Sequence, residues 1–145
     1  MKTTIISRRA LALSLAFIVL AFTTGMSTAP SSPERSAVEF TYLKSNPGER
    51  EQLKIFIVLN WFVMDKIAKE QGLMSAYTVM DTGTDEGPWN VVVSVTYNDE
   101  KGYDGIKEAF EKIRRAHTTI RVGGKGLREL GSIVEIKRMY ETPAN

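Results

Sequence analysis

Between Val38 and Tyr140 the spacing of apolar residues changes period four times, from about two to about 3.6 and back, twice over. A period of two is that of a strand with one face buried, and a period of 3.6 is that of a helix with one stripe buried. Val38–Leu43 alternates, with Val38, Phe40 and Tyr42 on one side. After the break Ser45-Asn46-Pro47-Gly48, a long helix is predicted over Glu49–Gln71, closed by Gly72. Ser75–Met80 reads as a second strand, Asp81–Pro88 as a polar turn and the valine-rich Asn90–Tyr97 as a third strand. A second helix is expected from Asp104 to about Ile120, ended by Gly123-Gly124-Lys125-Gly126. Ser132–Tyr140 is the last strand.

The order β-α-β-β-α-β in one short domain predicts an α+β fold of ferredoxin-like type. Right-handed crossovers put both helices on one face of a four-stranded antiparallel sheet. The other face also carries apolar groups. The second and third strands offer Tyr77, Val79, Val91, Val93 and Val95 to one side and Ala76, Met80 and Val92 to the other. One layer of helices cannot cover both, so a homodimer is expected. The first helix makes the same point. Leu53, Ile57, Asn60, Trp61, Met64 and Ala68 share a stripe, while Ile55, Leu59 and Phe62 lie on the opposite side. That second strip reads either as contact with the other helix or the leader, or as a subunit interface.

The N-terminal stretch is set apart from this pattern. Lys2, Arg8 and Arg9 precede Ala10–Phe22, an uncharged apolar run of about 13 residues, and small residues follow to Ala29. Residues 1–29 are therefore expected to be a signal peptide, giving a periplasmic or secreted protein with no stable membrane anchor after cleavage. Ser7-Arg8-Arg9 resembles the start of a twin-arginine signal, but the apolar run suits the general secretory (Sec) route better. Residues 30–36 read as a flexible leader, 37–141 as the folded domain and 142–145 as a tail. The segment 1–29 holds three of the 19 Lys and Arg and none of the 17 Asp and Glu, which leaves 16 cations against 17 acids in the remainder. A net charge near −1 gives no reason to expect a nucleic-acid partner. With no cysteine there are no disulfides and no lipoprotein anchor.

The order of elements, the size and the two-sided sheet resemble the dimeric α/β-barrel superfamily, over about residues 37–141. Asn60-Trp61-Phe62-Val63-Met64-Asp65, followed by Gln71-Gly72-Leu73, is also similar to small bacterial members without an assigned activity. The superfamily includes antibiotic-biosynthesis monooxygenases, stress-responsive barrel proteins and haem-degrading or haem-binding relatives. The resemblance implies a dimeric barrel and leaves enzymatic, binding and other roles open.

His117 is the only histidine. On the predicted second helix it shares a face with Ile106, Phe110, Ile113 and Ile120, where it is either a core group or a cavity group acting as general base or haem ligand. The local spacing of haem-degrading barrels is not reproduced, since Trp89 and His117 lie far apart in sequence. Asn60 is the polar residue on the first helix's apolar stripe, and a buried amide must find partners or cost about 1–3 kcal/mol. Either it caps a backbone group or it orients a ligand. Both helices lie over one sheet face, so Asn60 and His117 can share a cleft, and the resemblance implies that cofactor-independent oxygenases of this fold bind aromatic substrates there. Trp61, Tyr42, Tyr77, Met64 and Phe110 are the candidate ligand-binding residues, although strand aromatics are more often core. Asp65 reads as a surface carboxylate. Lys112, Arg114, Arg115, Arg121, Lys125 and Arg128 read as a solvated helix end and its surroundings, the alternative being a patch that attracts an anionic ligand or a membrane headgroup.

No cluster of metal-ligand spacing and no nucleophile elbow is present, which argues against metal and serine hydrolases. The reading that follows is an exported small-molecule-binding protein, a cofactor-independent monooxygenase-like enzyme being one form of it. It needs no cofactor, haem on His117 being the minor alternative. A small apolar or aromatic ligand is expected. The other class is a non-catalytic dimeric interaction protein working through Ile55, Leu59 and Phe62.

Overall fold

Four strands form one antiparallel sheet in the order β2-β3-β1-β4. They are β1 (Ser36–Ser45), β2 (Met74–Asp81), β3 (Val91–Tyr97) and β4 (Gly131–Glu141), interleaved with helices α1 (Arg50–Glu70), α2 (Tyr103–Ala116) and the single turn α3 (Leu127–Leu130). The fold is α+β. This computed structural model describes residues 35–142. The expected signal peptide, nearly all of the expected leader and residues 143–145 lie outside them. Ser36, expected in the leader, already belongs to β1 and pairs with Glu141.

The pleat sorts the strands as their alternation demands. Tyr77 lies opposite Val95 and Val79 opposite Val93, while Met80 faces Val92 on the other side of the sheet. Thr41 pairs with Val93 and Leu43 with Val91, so these residues share the helix-facing side. Two apolar clusters fill the space under the helices. Leu43, Leu53, Phe56, Ile57, Val91, Val93 and Leu130 form one. Ala37, Met64, Ala68, Met74, Tyr97 and Ile113 form the other, with Trp61 packed against both. A fully buried side chain such as Leu53 or Ile57 contributes about 1.5–3 kcal/mol.

Local chemistry ends the helices. At the C-terminus of α1 the Leu73 N–H reaches the Ala68 carbonyl at 2.9 Å and the Gly72 N–H reaches Lys69 at 3.0 Å. This pair of bonds is a Schellman motif, which needs the left-handed backbone that Gly72 supplies at φ 72°. The second helix stops earlier than its apolar spacing predicts, at Ala116 rather than near Ile120, and His117 is extended. Two causes act together. Thr118, Thr119 and Ile120 are β-branched and stiff at χ1. Asn60 of α1 also takes both the N–H and the carbonyl of Ile120 by side-chain hydrogen bonds.

Most of the exposed large apolar groups lie on two elements, with Met80 and Ile120 besides. On α1 these are Ile55, Val58, Leu59, Val63 and Ile67, and on β4 they are Ile133, Val134, Ile136, Met139 and Tyr140. β4 is an edge strand that pairs only with β1, with Val134 the extra residue at a register shift.

Candidate functional site

A cleft of about 300 Å³ opens between α1, α2 and the sheet. Its α1 wall is Trp61, Met64 and Asp65, which the i, i+3, i+4 spacing brings to one side of the helix. The floor is Thr41 of β1 with Val93, Val95 and Tyr97 of β3. Helix α2 contributes Tyr103 from its start, Phe110 from its middle and Arg114 from its last turn. Three of the residues expected to bind ligand, Trp61, Met64 and Phe110, therefore meet in one place.

Asp65 is the residue that sequence reasoning misplaced. It is no surface carboxylate, for only 5% of it is exposed. Neither oxygen has a hydrogen-bond or ion-pair partner among the described residues, and burial alone pushes its carboxyl up to about 7. A carboxylate that leaves water without compensation favours its neutral form. The signal was present in the sequence. Asp65 is four residues after Trp61 and three before Ala68, which puts it on the buried stripe itself.

The two phenols of the cleft are neutral donors at neutral pH. Tyr97 donates to Glu39 Oε2 at 3.2 Å, and burial, with the Glu39 charge second, holds its hydroxyl well above the usual range. Glu39 is itself held by Arg138, whose Nε and Nη2 lie 2.9 and 2.6 Å from Oε1, and Arg138 also reaches Asp104 at 3.1 Å. Tyr103 donates to Glu111 at 2.7 Å, and burial pushes its hydroxyl up to about 12. The same bond keeps Glu111 below the usual carboxylate range, helped by Arg114. Arg114 pairs with Glu111 at 2.9 Å, which neutralises the cation on the α2 side.

Asn60 and His117 do meet, though neither lines this cleft. Asn60 Nδ2 donates to the carbonyls of Phe56 at 2.9 Å and Ile120 at 3.0 Å, and Oδ1 accepts the Ile120 N–H at 2.7 Å. His117 Nε2 lies 3.0 Å from the same oxygen. An amide oxygen only accepts, so the contact requires the proton on Nε2. The amide is saturated by protein partners, which makes it the cap of an extended segment. His117 borders a separate groove between α1 and α2, beside Val63, Ile67, Ala109 and Lys112. Of the other two candidates, Tyr77 packs on Phe62 with ring centroids 4.8 Å apart. Tyr42 lies on the far face of the sheet, against Phe40 and Trp89.

The basic stretch near the second helix is largely neutralised. Lys112 pairs with Glu108 and Arg121 with Glu129, while Lys125 meets Glu49. Gly123 and Gly124, at φ 57° and 78°, make a two-residue turn in which Val122 and Lys125 exchange backbone hydrogen bonds. Among the described residues no group of three or more His, Asp or Glu could hold a metal ion, and no helix is long and apolar enough to cross a membrane. No protein-family model matches the chain, and no curated protein is significantly similar to it.

Proposed function

We propose that this chain is a small-molecule-binding protein of the ferredoxin-like, dimeric α/β-barrel type, exported to the periplasm or beyond, with its ligand site in the cleft around Asp65. One observation carries the reading. A carboxylate that is 5% exposed and lacks a protein partner among the described residues borders a concave space walled by aromatic and apolar groups. Buried ionisable groups without partners are costly, and they concentrate where a ligand or a reaction uses them. The strand order β2-β3-β1-β4 supports the ferredoxin-like assignment. The apolar edge strand β4 and the aromatic far face, with Phe40, Tyr42 and Trp89, support the dimer.

Catalysis of the cofactor-independent kind is the second form of this reading. A carboxyl titrating near 7 can take a proton from an acidic C–H or O–H of a bound ligand at neutral pH. The interaction-protein alternative draws on the exposed Ile55 and Leu59, but Phe62 is spent on Tyr77. The haem alternative is left His117 Nδ1, since Nε2 is held by Asn60, and no further observation supports it.

Native mass spectrometry of the protein purified from its own host tests the proposal. A dimer with added mass, lost in a Thr41→Trp variant that fills the cleft and keeps its circular dichroism, is the expected result. A chain that carries nothing and takes up nothing from pooled aromatic metabolites sinks the binding reading, as does an adduct that survives filling.

A further inference from the structure

The preceding proposal leaves the chemical class of the ligand open, and the make-up of the cleft narrows it. From the positions of Asp65, Trp61, Tyr97, Tyr103 and Phe110 we infer that the cleft takes a small organic ammonium ion, its cationic head against the Asp65 carboxylate and its apolar body among the aromatic rings. This rests on the reading of the cleft as a ligand site.

Three features point the same way. First, Asp65 is 5% exposed and lines the open cleft with no protein donor among the described residues, so a donor or a cation of a ligand can meet it there. Second, four of the surrounding side chains are aromatic, and aromatic faces attract a desolvated cation. Third, the donors already present are engaged elsewhere. The Tyr97 hydroxyl is directed to Glu39 and the Tyr103 hydroxyl to Glu111. An anionic ligand would meet a carboxyl group and two committed phenols, and Arg114, its one cationic partner there, is tied to Glu111.

The charges around Asp65 agree with a cation. Glu39, next to Tyr97, is held by Arg138, and Glu111 is shared by Tyr103 and Arg114. Arg138 is shared by Glu39 and Asp104, which leaves that network one negative charge in excess, and Arg114 offsets Glu111; none of these groups is a cause of the raised Asp65 pKa, which burial alone produces. The proton balance follows. Below about pH 7 the free protein carries a neutral Asp65, and an arriving ammonium ion expels that proton to solvent, leaving a carboxylate–ammonium pair. Above that pH the carboxylate is already ionised and nothing is released. Affinity for an ammonium ion therefore rises about tenfold per pH unit up to about pH 7 and then levels, as one-proton linkage requires.

Isothermal titration with phenethylammonium, with 2-phenylethanol as its uncharged counterpart, tests the inference on the full chain at pH 5.5 and pH 8. The expected result is preference for the ammonium ion at pH 8, proton release at pH 5.5 only, and at least a tenfold loss of its binding in Asp65→Asn with the alcohol unaffected. Equal binding of the two probes, or an Asp65→Asn variant that keeps its ammonium affinity, overturns the ammonium assignment and leaves the cleft a ligand site. No binding of either probe, with mass spectrometry also finding no adduct, overturns both. An adduct that is not an amine overturns this inference alone. Asp65→Asn is nearly isosteric and removes a buried charge, so its folding is preserved, and circular dichroism checks this.

Discussion

His117 Nε2 lies 3.0 Å from Asn60 Oδ1, and that oxygen also holds the Ile120 N–H at 2.7 Å. The two polar residues that stand out in the sequence thus serve each other and the backbone. Asn60→Ala removes the partners of Ile120 at both its N–H and its carbonyl, at a cost of roughly 2–4 kcal/mol. His117→Ala loses a single bond of about 1 kcal/mol. Urea unfolding should rank them in that order, and ligand binding in the Asp65 cleft should survive His117→Ala. Equal destabilisation by the two substitutions would contradict the capping role.

Asp65 gives the protein a particular pH profile. Burial pushes its carboxyl up to about 7, well above the 3.8 of an exposed aspartate, so the native state holds the proton more tightly than the unfolded chain. The contribution is fully present below about pH 4 and is lost as pH rises to about 7, amounting to at most roughly 4 kcal/mol. Asp65→Asn should flatten this decline and be the more stable protein at pH 8. Parallel unfolding curves for the two proteins across pH 4–8 would show that Asp65 is not responsible.

Asn90 ties the β1 end to the β3 start. It is fully buried, its Oδ1 accepts the Ser45 N–H at 2.9 Å and its Nδ2 donates to Ser45 Oγ at 2.8 Å. Asn90→Ala strands the Ser45 N–H and should cost about 2–3 kcal/mol, read as a lowered urea midpoint with an unchanged m-value.

Gly131 is required for space rather than for backbone freedom. Its φ of 172° is ordinary extended backbone, but a Cβ there would lie 2.5 Å from the Lys44 carbonyl oxygen and 3.0 Å from Leu53 Cδ2. Gly131→Ala should destabilise by about 1–3 kcal/mol as β4 is pushed off β1. A melting temperature equal to wild type would mean that the strands yield without cost.

The proposed dimer predicts one more result. Met139 is half exposed and lies opposite Val38 on the far face of the sheet. Met139→Glu should give a folded monomer in sedimentation velocity where the parent sediments as a dimer. A variant that remains dimeric excludes this face from the interface.

The sequence alone carried the element order, the break at Gly72 and the sorting of Tyr77, Val79, Val93 and Val95 from Met80 and Val92. These follow from local rules, because the pleat alternates every residue and a left-handed cap needs glycine. The stripe on α1 was legible for the same reason, whereas Ile55 and Leu59, read as a contact strip, are exposed in this chain. What only the tertiary structure decided depends on atoms far apart in the chain. Beyond the β-branched run Thr118–Ile120, helix α2 ends at Ala116 because Asn60, 60 residues before Ile120, takes the backbone groups of Ile120. Asn60 caps Ile120 rather than lining the cleft because Phe56, Ile120 and His117 saturate its amide, and His117 lies at a separate groove. Asp65 is buried because α2 and β3 close over the side of α1 on which its spacing puts it, and no single-element pattern contains that closure. Periodicity tells which side of an element leaves water; only packing tells which polar group on that side finds a partner and which is left for a ligand.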